Sequence, residues 1–200
     1  MRGKYKNNTK PVDGGENLYS IWTEPKFAIG QRRILLQTSQ GNVLWDCITY
    51  LDDDTVEFIK GKGGLKAIVI SHPHYYTTHL DWAEVFGCPV IFAREDEEWV
   101  CREDRQGRRK LMEGTKEEIL PGVVAAKTGG HFPGSLVLLW EKKLMIADTF
   151  VTTPVSLPLS AHGKSCCRKA GADTNGSPHT TTTTAFRERQ ATPSCGPSLT

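Results

Sequence analysis

Short apolar segments separated by polar turns predict a mixed sheet in the first three quarters of the chain. Phe27–Gln37 and Gly41–Thr49 are two predicted strands joined by a turn at 38–41, a common hairpin pattern. The continuous apolar run Leu65–Ile70 predicts a strand that is buried on both faces. Further strands are predicted at Pro89–Ala93, Val123–Lys127, Leu136–Trp140 and Leu144–Ala147.

Helical signals alternate with these strands. Thr55–Lys60 predicts a short helix that the following glycines end. A second helix is expected to begin at Thr78, because Asp81 three residues later completes a capping-box pattern, and to end at Gly87. Glu95–Glu103 is read as an acidic surface helix. Interleaved strands, helices and hairpins predict an α/β (α+β) fold rather than a purely parallel sheet.

The two ends of the chain lack this periodicity. Residues 1–17 are predicted to be irregular, and residues 18–154 to form the folded domain. From residue 155 onward about half of the positions are Gly, Pro, Ser or Thr, a composition that cannot bury enough apolar surface to fold. We therefore expect 155–200 to be a disordered low-complexity tail.

Charge and hydropathy exclude several partner classes. The formal net charge is +2, but the tail holds five Lys or Arg and two Asp or Glu, so residues 1–154 carry −1. This balance gives little support to nucleic-acid binding. The apolar runs are far shorter than the ~20 residues of a membrane helix, and residues 1–10 lack the apolar stretch of a secretory signal. We expect a cytoplasmic protein with free cysteines and a small-molecule substrate.

A histidine cluster follows the predicted strand Leu65–Ile70, where open α/β sheets often bind ligands. Pro73 favours an extended backbone at His72, and alternate residues of an extended chain point the same way. His72 and His74 are therefore candidate ligands of one metal ion, and His79 could turn back towards it. Surface histidines or a helix-capping imidazole are the simpler interpretation of such a pattern.

Three later features add candidates to this cluster. His131 lies in a glycine-rich bend, 129–135, where glycines allow the backbone to approach a site closely. Asp148 ends an apolar strand, where a carboxylate needs a cation or hydrogen-bond donors to offset its burial. Asp46 is a similar strand-end carboxylate, although a simple turn former explains it equally well.

Together these blocks resemble the metallo-β-lactamase-fold superfamily of metallohydrolases. The likeness covers residues 27–150 and rests on four blocks in the order that the family uses. They are Leu44-Trp45-Asp46, Ile68-Val69-Ile70-Ser71-His72-Pro73-His74, Gly130-His131-Phe132-Pro133-Gly134-Ser135 and Ile146-Ala147-Asp148-Thr149. The resemblance implies an αββα sandwich, of which this chain holds the first half and the start of the second before an unrelated tail, as in a truncated product.

The resemblance also implies a ligand set. His72, His74 and His131 map onto the first metal site and Asp148 onto the bridging carboxylate. The family signature His-x-His-x-Asp-His departs here, since Tyr76 and Thr77 occupy its last two places. A second metal site is therefore incomplete unless His79 substitutes, and the tail offers only His162 as a late histidine.

The implied function is that of a zinc-dependent hydrolase acting on an ester or thioester bond, with weak or lost activity. Asp148 would orient the attacking water, and Tyr76 or Tyr75 would donate to the developing oxyanion. One alternative is a mononuclear iron dioxygenase that uses His72, His131 and Asp148. Another is a non-catalytic remnant of the fold. The identity of the bound metal, zinc or iron, would distinguish the hydrolase from the dioxygenase.

Overall fold

A computed structural model describes residues 3–26 and 30–148, and a short strand at 184–185. Two sheets organise these residues. The first sheet contains, in spatial order, β1 (Lys6–Val12), β2 (Gly15–Glu24), β3 (Arg32–Thr38), β4 (Gly41–Trp45), β5 (Ala67–Val69), β6 (Val90–Ala93) and β7 (Arg109–Met112). Its first four strands are antiparallel, and β4 to β7 are parallel.

The N-terminal hairpin corrects one prediction. Residues 1–17 were expected to be irregular, but β1 and the start of β2 lie there. Asn7, which is buried, accepts a hydrogen bond from Thr23 Oγ1 at 2.7 Å and donates through its backbone N–H to Asp52 at 2.8 Å. Side-chain hydrogen bonds thus fix a strand whose polar composition gave no apolar alternation.

The central strands of the first sheet are buried on both faces, as their apolar runs predict. Leu35, Leu44 and Ile68 point towards the helices and pack with Trp82. Their neighbours point the opposite way into a second core shared with the other sheet. That core includes Leu36, Val43, Trp45, Val69, Ile91, Leu136, Leu138 and Trp140.

The second sheet stacks on this face of the first. It contains β8 (Lys116–Leu120), β9 (Val123–Lys127), β10 (Leu136–Trp140), β11 (Lys143–Met145) and β12 (Thr184–Ala185). Its strands are antiparallel except for the parallel pair β11 and β12. Helices, first sheet and second sheet form three layers among the described residues, which agrees with the predicted partial sandwich.

The helices differ in detail from the prediction. α1 (Asp53–Gly61) is capped at its N-terminus by Asp52, whose side chain accepts a hydrogen bond from Thr55 N at 3.0 Å. α2 (His79–Phe86) ends as predicted at Gly87, whose φ is 64°. Its predicted capping box does not form, because Thr78 Oγ1 donates to Ile48 O at 2.8 Å.

Two further predictions meet different outcomes. The acidic segment that was read as a surface helix is a short 3-10 helix, Arg94–Trp99. The predicted tail 155–200 lies outside the described residues apart from β12. Within the described part of the chain, no helix has the length and apolar character needed to cross a membrane.

Candidate metal centre

Four predicted ligands meet at one point. His72, His74, His131 and Asp148 each offer one donor atom, and these atoms all lie within 4.8 Å of one another. His72 and His74 follow β5, His131 lies between β9 and β10, and Asp148 follows β11. The group therefore joins segments from both sheets. Among the residues that the structure describes, it is the one group of this kind.

The spacing of the donor atoms fits a small metal ion. His72 Nε2 lies 3.2 Å from His74 Nδ1, which lies 3.4 Å from His131 Nε2. A tetrahedral ion with nitrogen ligands at its usual bond length places those nitrogens roughly 3.4 Å apart. Asp148 Oδ2 adds an oxygen 3.3 Å from His72 Nε2 and 3.7 Å from His74 Nδ1. The donor set of three imidazoles and one carboxylate suits zinc or ferrous iron.

A buried hydrogen-bond chain sets the tautomer of His72. Asp46 accepts from the backbone N–H of Ser71 at 2.7 Å and from its hydroxyl at 3.0 Å. Because that hydroxyl has already donated its hydrogen, it can only accept at the 2.8 Å contact with His72 Nδ1. With Asp46 ionised, the proton of His72 is therefore on Nδ1, and the lone pair of Nε2 faces the other donor atoms.

Burial is the main cause of the pKa shifts in this hydrogen-bonded group of Asp46, Ser71 and His72. It raises the pKa of Asp46 to about 7, while the hydrogen bonds from Ser71 and the charge of Arg33 oppose the rise. Burial also lowers the pKa of His72 to about 4, against the attraction of Asp148. A neutral imidazole is the form that binds a metal, so His72 is in its ligand state at neutral pH.

Separate contacts hold the other two histidines. The carbonyl of His74 accepts from Gln31 Nε2 at 2.9 Å, and its side chain stays 46% exposed. The bend that carries His131 is anchored where Gly134 N donates to Asp96 Oδ1 at 2.8 Å. A Cβ at Gly134 would lie 2.6 Å from that of Ala93 and 2.7 Å from Asp96 Cγ, so glycine is required there. Leu136 N also donates to Ser71 O at 2.8 Å, which ties the two histidine segments together.

The structure places His79 away from this group. Its Nδ1 contacts the carbonyl of Tyr76, and its Nε2 accepts from Arg109 Nε at 2.9 Å. Both ring nitrogens are thus occupied by other partners, and burial lowers the pKa of the ring. The contacts of His79 are those of a structural residue at the start of α2.

Of the two candidate tyrosines, one lies beside the ligand group and the other packs away from it. Tyr76 packs its ring against Phe92 and His79, and its buried hydroxyl has no hydrogen-bond partner in the described part of the chain. Tyr75 instead places its ring edge-on to His72 with centroids 5.1 Å apart. Tyr75 is thus the tyrosine beside the ligand group, and burial raises the pKa of both phenols.

Sequence reasoning missed several residues of the centre. Ser71 lies within the Ile68–His74 block and Asp96 within the predicted acidic helix, but the sequence indicated no role in the site for either residue. Phe132 contacts all three imidazoles, with ring centroids 4.8 to 5.7 Å apart. Trp99 packs on Phe132 at 5.5 Å. An aromatic residue directly after the glycine-flanked His131 was the one available signal.

Comparison with curated proteins finds a relative in Bacillus subtilis (strain 168). The protein YmaE, described as uncharacterized, is 45% identical over 141 residues. The match covers 70% of this chain and 50% of the relative, so the chain spans about half of that protein's length. No protein-family model matches the chain.

Solved structures supply the fold. The structure of TMB-1 matches with a TM-score of 0.56 and 16% identity, covering 69% of this chain and 68% of that chain. The structure of DIM-1 metallo-β-lactamase exposed to ceftazidime matches with a TM-score of 0.54 and 13% identity. The match covers 70% of this chain and 68% of that chain. SMB-1 metallo-β-lactamase in complex with mercaptoacetic acid has a TM-score of 0.50 and 16% identity, covering 72% and 67%. With two stacked sheets and the ligand group where the predicted motifs lie, the chain has the metallo-β-lactamase fold.

Proposed function

We propose that the chain is a metal-dependent hydrolase-like protein with a single metal site. The observation that carries this proposal is the convergence of the four donor atoms of His72, His74, His131 and Asp148 within 4.8 Å. Zinc held by the three imidazoles would keep its fourth position for water, with Asp148 beside that water. The ion would act as a Lewis acid and lower the pKa of the water to near 7. The substrate class that we propose is a small molecule with an ester or thioester bond.

The residues of the chain have distinct tasks in this proposal. The histidines hold the ion, and the Asp46–Ser71 pair keeps His72 Nε2 unprotonated. Asp148, whose side chain is 48% exposed, lies on the solvent side of the group and is placed to accept a proton from water. Tyr75, rather than Tyr76, is the tyrosine whose ring contacts a candidate ligand, His72.

Turnover is expected to be slow. In the family pattern, a second ion shares the attacking and leaving oxygens, but Tyr76 and Thr77 stand where two of its ligands would be. Phenol and hydroxyl groups do not replace a carboxylate and an imidazole at neutral pH. His79 does not fill the gap, because both of its ring nitrogens have other partners.

The test is hydrolysis of ester and thioester substrates by the purified chain with and without added zinc. We expect slow, zinc-dependent turnover that His131→Ala abolishes and that His79→Gln retains. Turnover that does not depend on zinc would contradict the proposal. Robust turnover that collapses in His79→Gln would show that a second metal site exists. Iron in the purified protein with oxygen uptake would instead favour the dioxygenase alternative.

A further inference from the structure

Phe132 forms an apolar surface over the ligand group. Its ring stacks on His72 with planes 25° apart and centroids at 5.7 Å. The same ring meets His74 edge-on at 5.2 Å and His131 edge-on at 4.8 Å. Phe132 is therefore the apolar ring that adjoins all three imidazoles.

Trp99 extends this surface into solvent. It is 51% exposed, and its ring meets Phe132 at 5.5 Å and an interplanar angle of 81°. A single exposed apolar side chain is common in proteins. Two other large apolar residues, Val85 on α2 and Leu139 on β10, are exposed to a similar degree. Trp99 differs from them because it adjoins an aromatic ring that contacts the candidate ligands.

The two aromatic residues are held as one unit with His131. Trp99 ends the 3-10 helix Arg94–Trp99, and Asp96 in that helix binds Gly134 N at 2.8 Å. Asp96 is 1% exposed, and Gly134 packs directly against it. The aromatic surface and the bend that carries His131 are therefore fixed relative to each other before any ligand arrives.

Carboxylates outnumber cations around this aromatic surface. The segment that ends at Trp99 contains four carboxylates and one cation, Arg94. Arg94 is engaged by Glu97 at 3.0 Å and by Glu113, and Lys127 by Glu95 at 2.8 Å. Asp148 adds another carboxylate on the open side of the ligand group. Without a metal ion at the ligand group, an anionic ligand would meet like charge there, whereas an uncharged one would not.

We propose that Trp99 and Phe132 form a subsite that binds the uncharged aryl or acyl portion of the substrate beside the metal ligands. This inference rests on the proposed function, because it places the hydrolysed bond at His72, His74 and His131. It narrows the proposed substrates to esters or thioesters that carry an uncharged apolar group next to the scissile bond.

The experiment measures binding rather than turnover. Equilibrium dialysis of the full chain as purified, and again after chelation, gives dissociation constants for 4-nitrobenzamide and for 4-nitrobenzoate. These probes have nearly the same shape and differ in charge. In the chelated protein we expect the neutral amide to bind more tightly than the carboxylate, and in both states we expect Trp99→Ala to weaken binding of the amide by about fivefold. Trp99→Phe should restore most of the affinity, and Leu139→Ala, which removes a similarly exposed apolar side chain, should have no effect.

Zinc stoichiometry measured on the same samples separates this inference from the proposed function. If zinc does not bind but the amide still depends on Trp99, the proposed function fails and the aromatic subsite stands. If zinc binds but Trp99→Ala and Leu139→Ala have equal effects, the subsite is overturned. Equal affinity of the chelated wild type for the amide and the carboxylate would overturn the charge preference.

Discussion

Ser71 joins three parts of the candidate metal centre, namely Asp46, His72 and the start of β10. Its N–H and hydroxyl bind Asp46, its hydroxyl accepts from His72, and its carbonyl accepts from Leu136. These bonds fix both the ring orientation of His72 and the position of β10 relative to β5. Hydrogen-bond partners that orient ligands typically change metal affinity by ten- to a hundredfold.

Replacing Asp46 tests this connection. Asp46→Asn keeps the shape of the side chain but leaves the Ser71 hydroxyl without an acceptor on one side, so that the hydroxyl can turn and donate to His72 Nδ1. The proton of His72 then moves to Nε2, where it competes with the metal. We expect zinc affinity, measured by competition with a chelator, to fall at least tenfold.

Asp52→Asn is the matched control, because Asp52 caps α1 and has no part in the ligand group. It should lower stability because the amide NH₂ cannot accept the hydrogen bond that Asn7 N–H gives to Asp52, and it should leave zinc affinity unchanged. Equal losses of zinc affinity in the two variants would contradict the role of Asp46.

The raised pKa of Asp46 predicts a pH dependence of stability. Its folded-state pKa of about 7 lies above the ordinary 3.8, so between these values the folded chain binds more protons than the unfolded chain. The free energy of unfolding due to Asp46 therefore falls as pH rises from about 4 to 7, by an amount on the order of 3 to 4 kcal/mol. His72, whose pKa is lowered to about 4, acts in the opposite direction in metal-free protein.

The difference between wild type and Asp46→Asn isolates the carboxyl group. Urea unfolding of chelated protein across pH 4 to 7 should show the stability of the wild type falling relative to that of the variant. A constant difference over this range would show that the carboxyl group does not titrate there.

At the scale of elements, the bend between β9 and β10 decides where His131 lies. Gly134 allows this bend to pack directly on Asp96 and Ala93. Gly134→Ala would force a Cβ into that contact and displace the bend. We expect a loss of about 1 to 3 kcal/mol in unfolding free energy together with weaker zinc binding, measured by chemical denaturation and zinc titration.

Gly61→Ala is the corresponding control, since a Cβ at Gly61 in α1 meets no atom within 4 Å. This change should leave zinc affinity unchanged and keep or raise stability, because alanine favours a helix. If Gly134→Ala behaves in the same way, the proposed packing of the bend is wrong.

The elements also show what the sequence could predict. The sequence predicted the candidate ligands that follow strands, because apolar runs end just before His72 and Asp148 and glycines lie on both sides of His131. The N-terminal hairpin was not visible, because buried hydrogen bonds of Asn7 rather than apolar alternation hold it. Asp81 looked like a capping residue but binds Arg102 at 2.8 Å, a partner 21 residues away that local pattern does not reveal.

Within the site, nearness along the chain likewise did not reveal which residues contact each other in the fold. The family pattern indicated four ligands, and the structure brings those four together. The sequence predicted His79 as a substitute ligand because it lies near the missing ones along the chain, and Tyr76 as a donor to the oxyanion. Their partners, Arg109 and Phe92, lie on strands of the first sheet and turn both side chains to structural contacts.

At the scale of the whole molecule, the ligand group links the two sheets. His72 and His74 follow a strand of the first sheet, whereas His131 and Asp148 follow strands of the second. A metal ion that binds only the folded chain stabilises it by about 2.7 kcal/mol at a hundredfold excess over its dissociation constant. We therefore expect added zinc to raise the midpoint of thermal unfolding and chelation to lower it.

Variants define the source of that stabilisation. His79→Gln should retain the zinc-dependent shift, and His131→Ala should lose most of it. A shift of the same size in His131→Ala would mean that zinc acts elsewhere on the chain, for example at the scattered cysteines.

The most direct test of the metal centre is its stoichiometry. Equilibrium dialysis against zinc followed by elemental analysis should give about one ion per chain for the wild type, as expected for one site with three imidazoles and a carboxylate. The same measurement on His131→Ala should give well below one ion. Zinc far below one equivalent in the wild type, or equal zinc content in the two proteins, would contradict the assignment of His72, His74, His131 and Asp148 as a metal site.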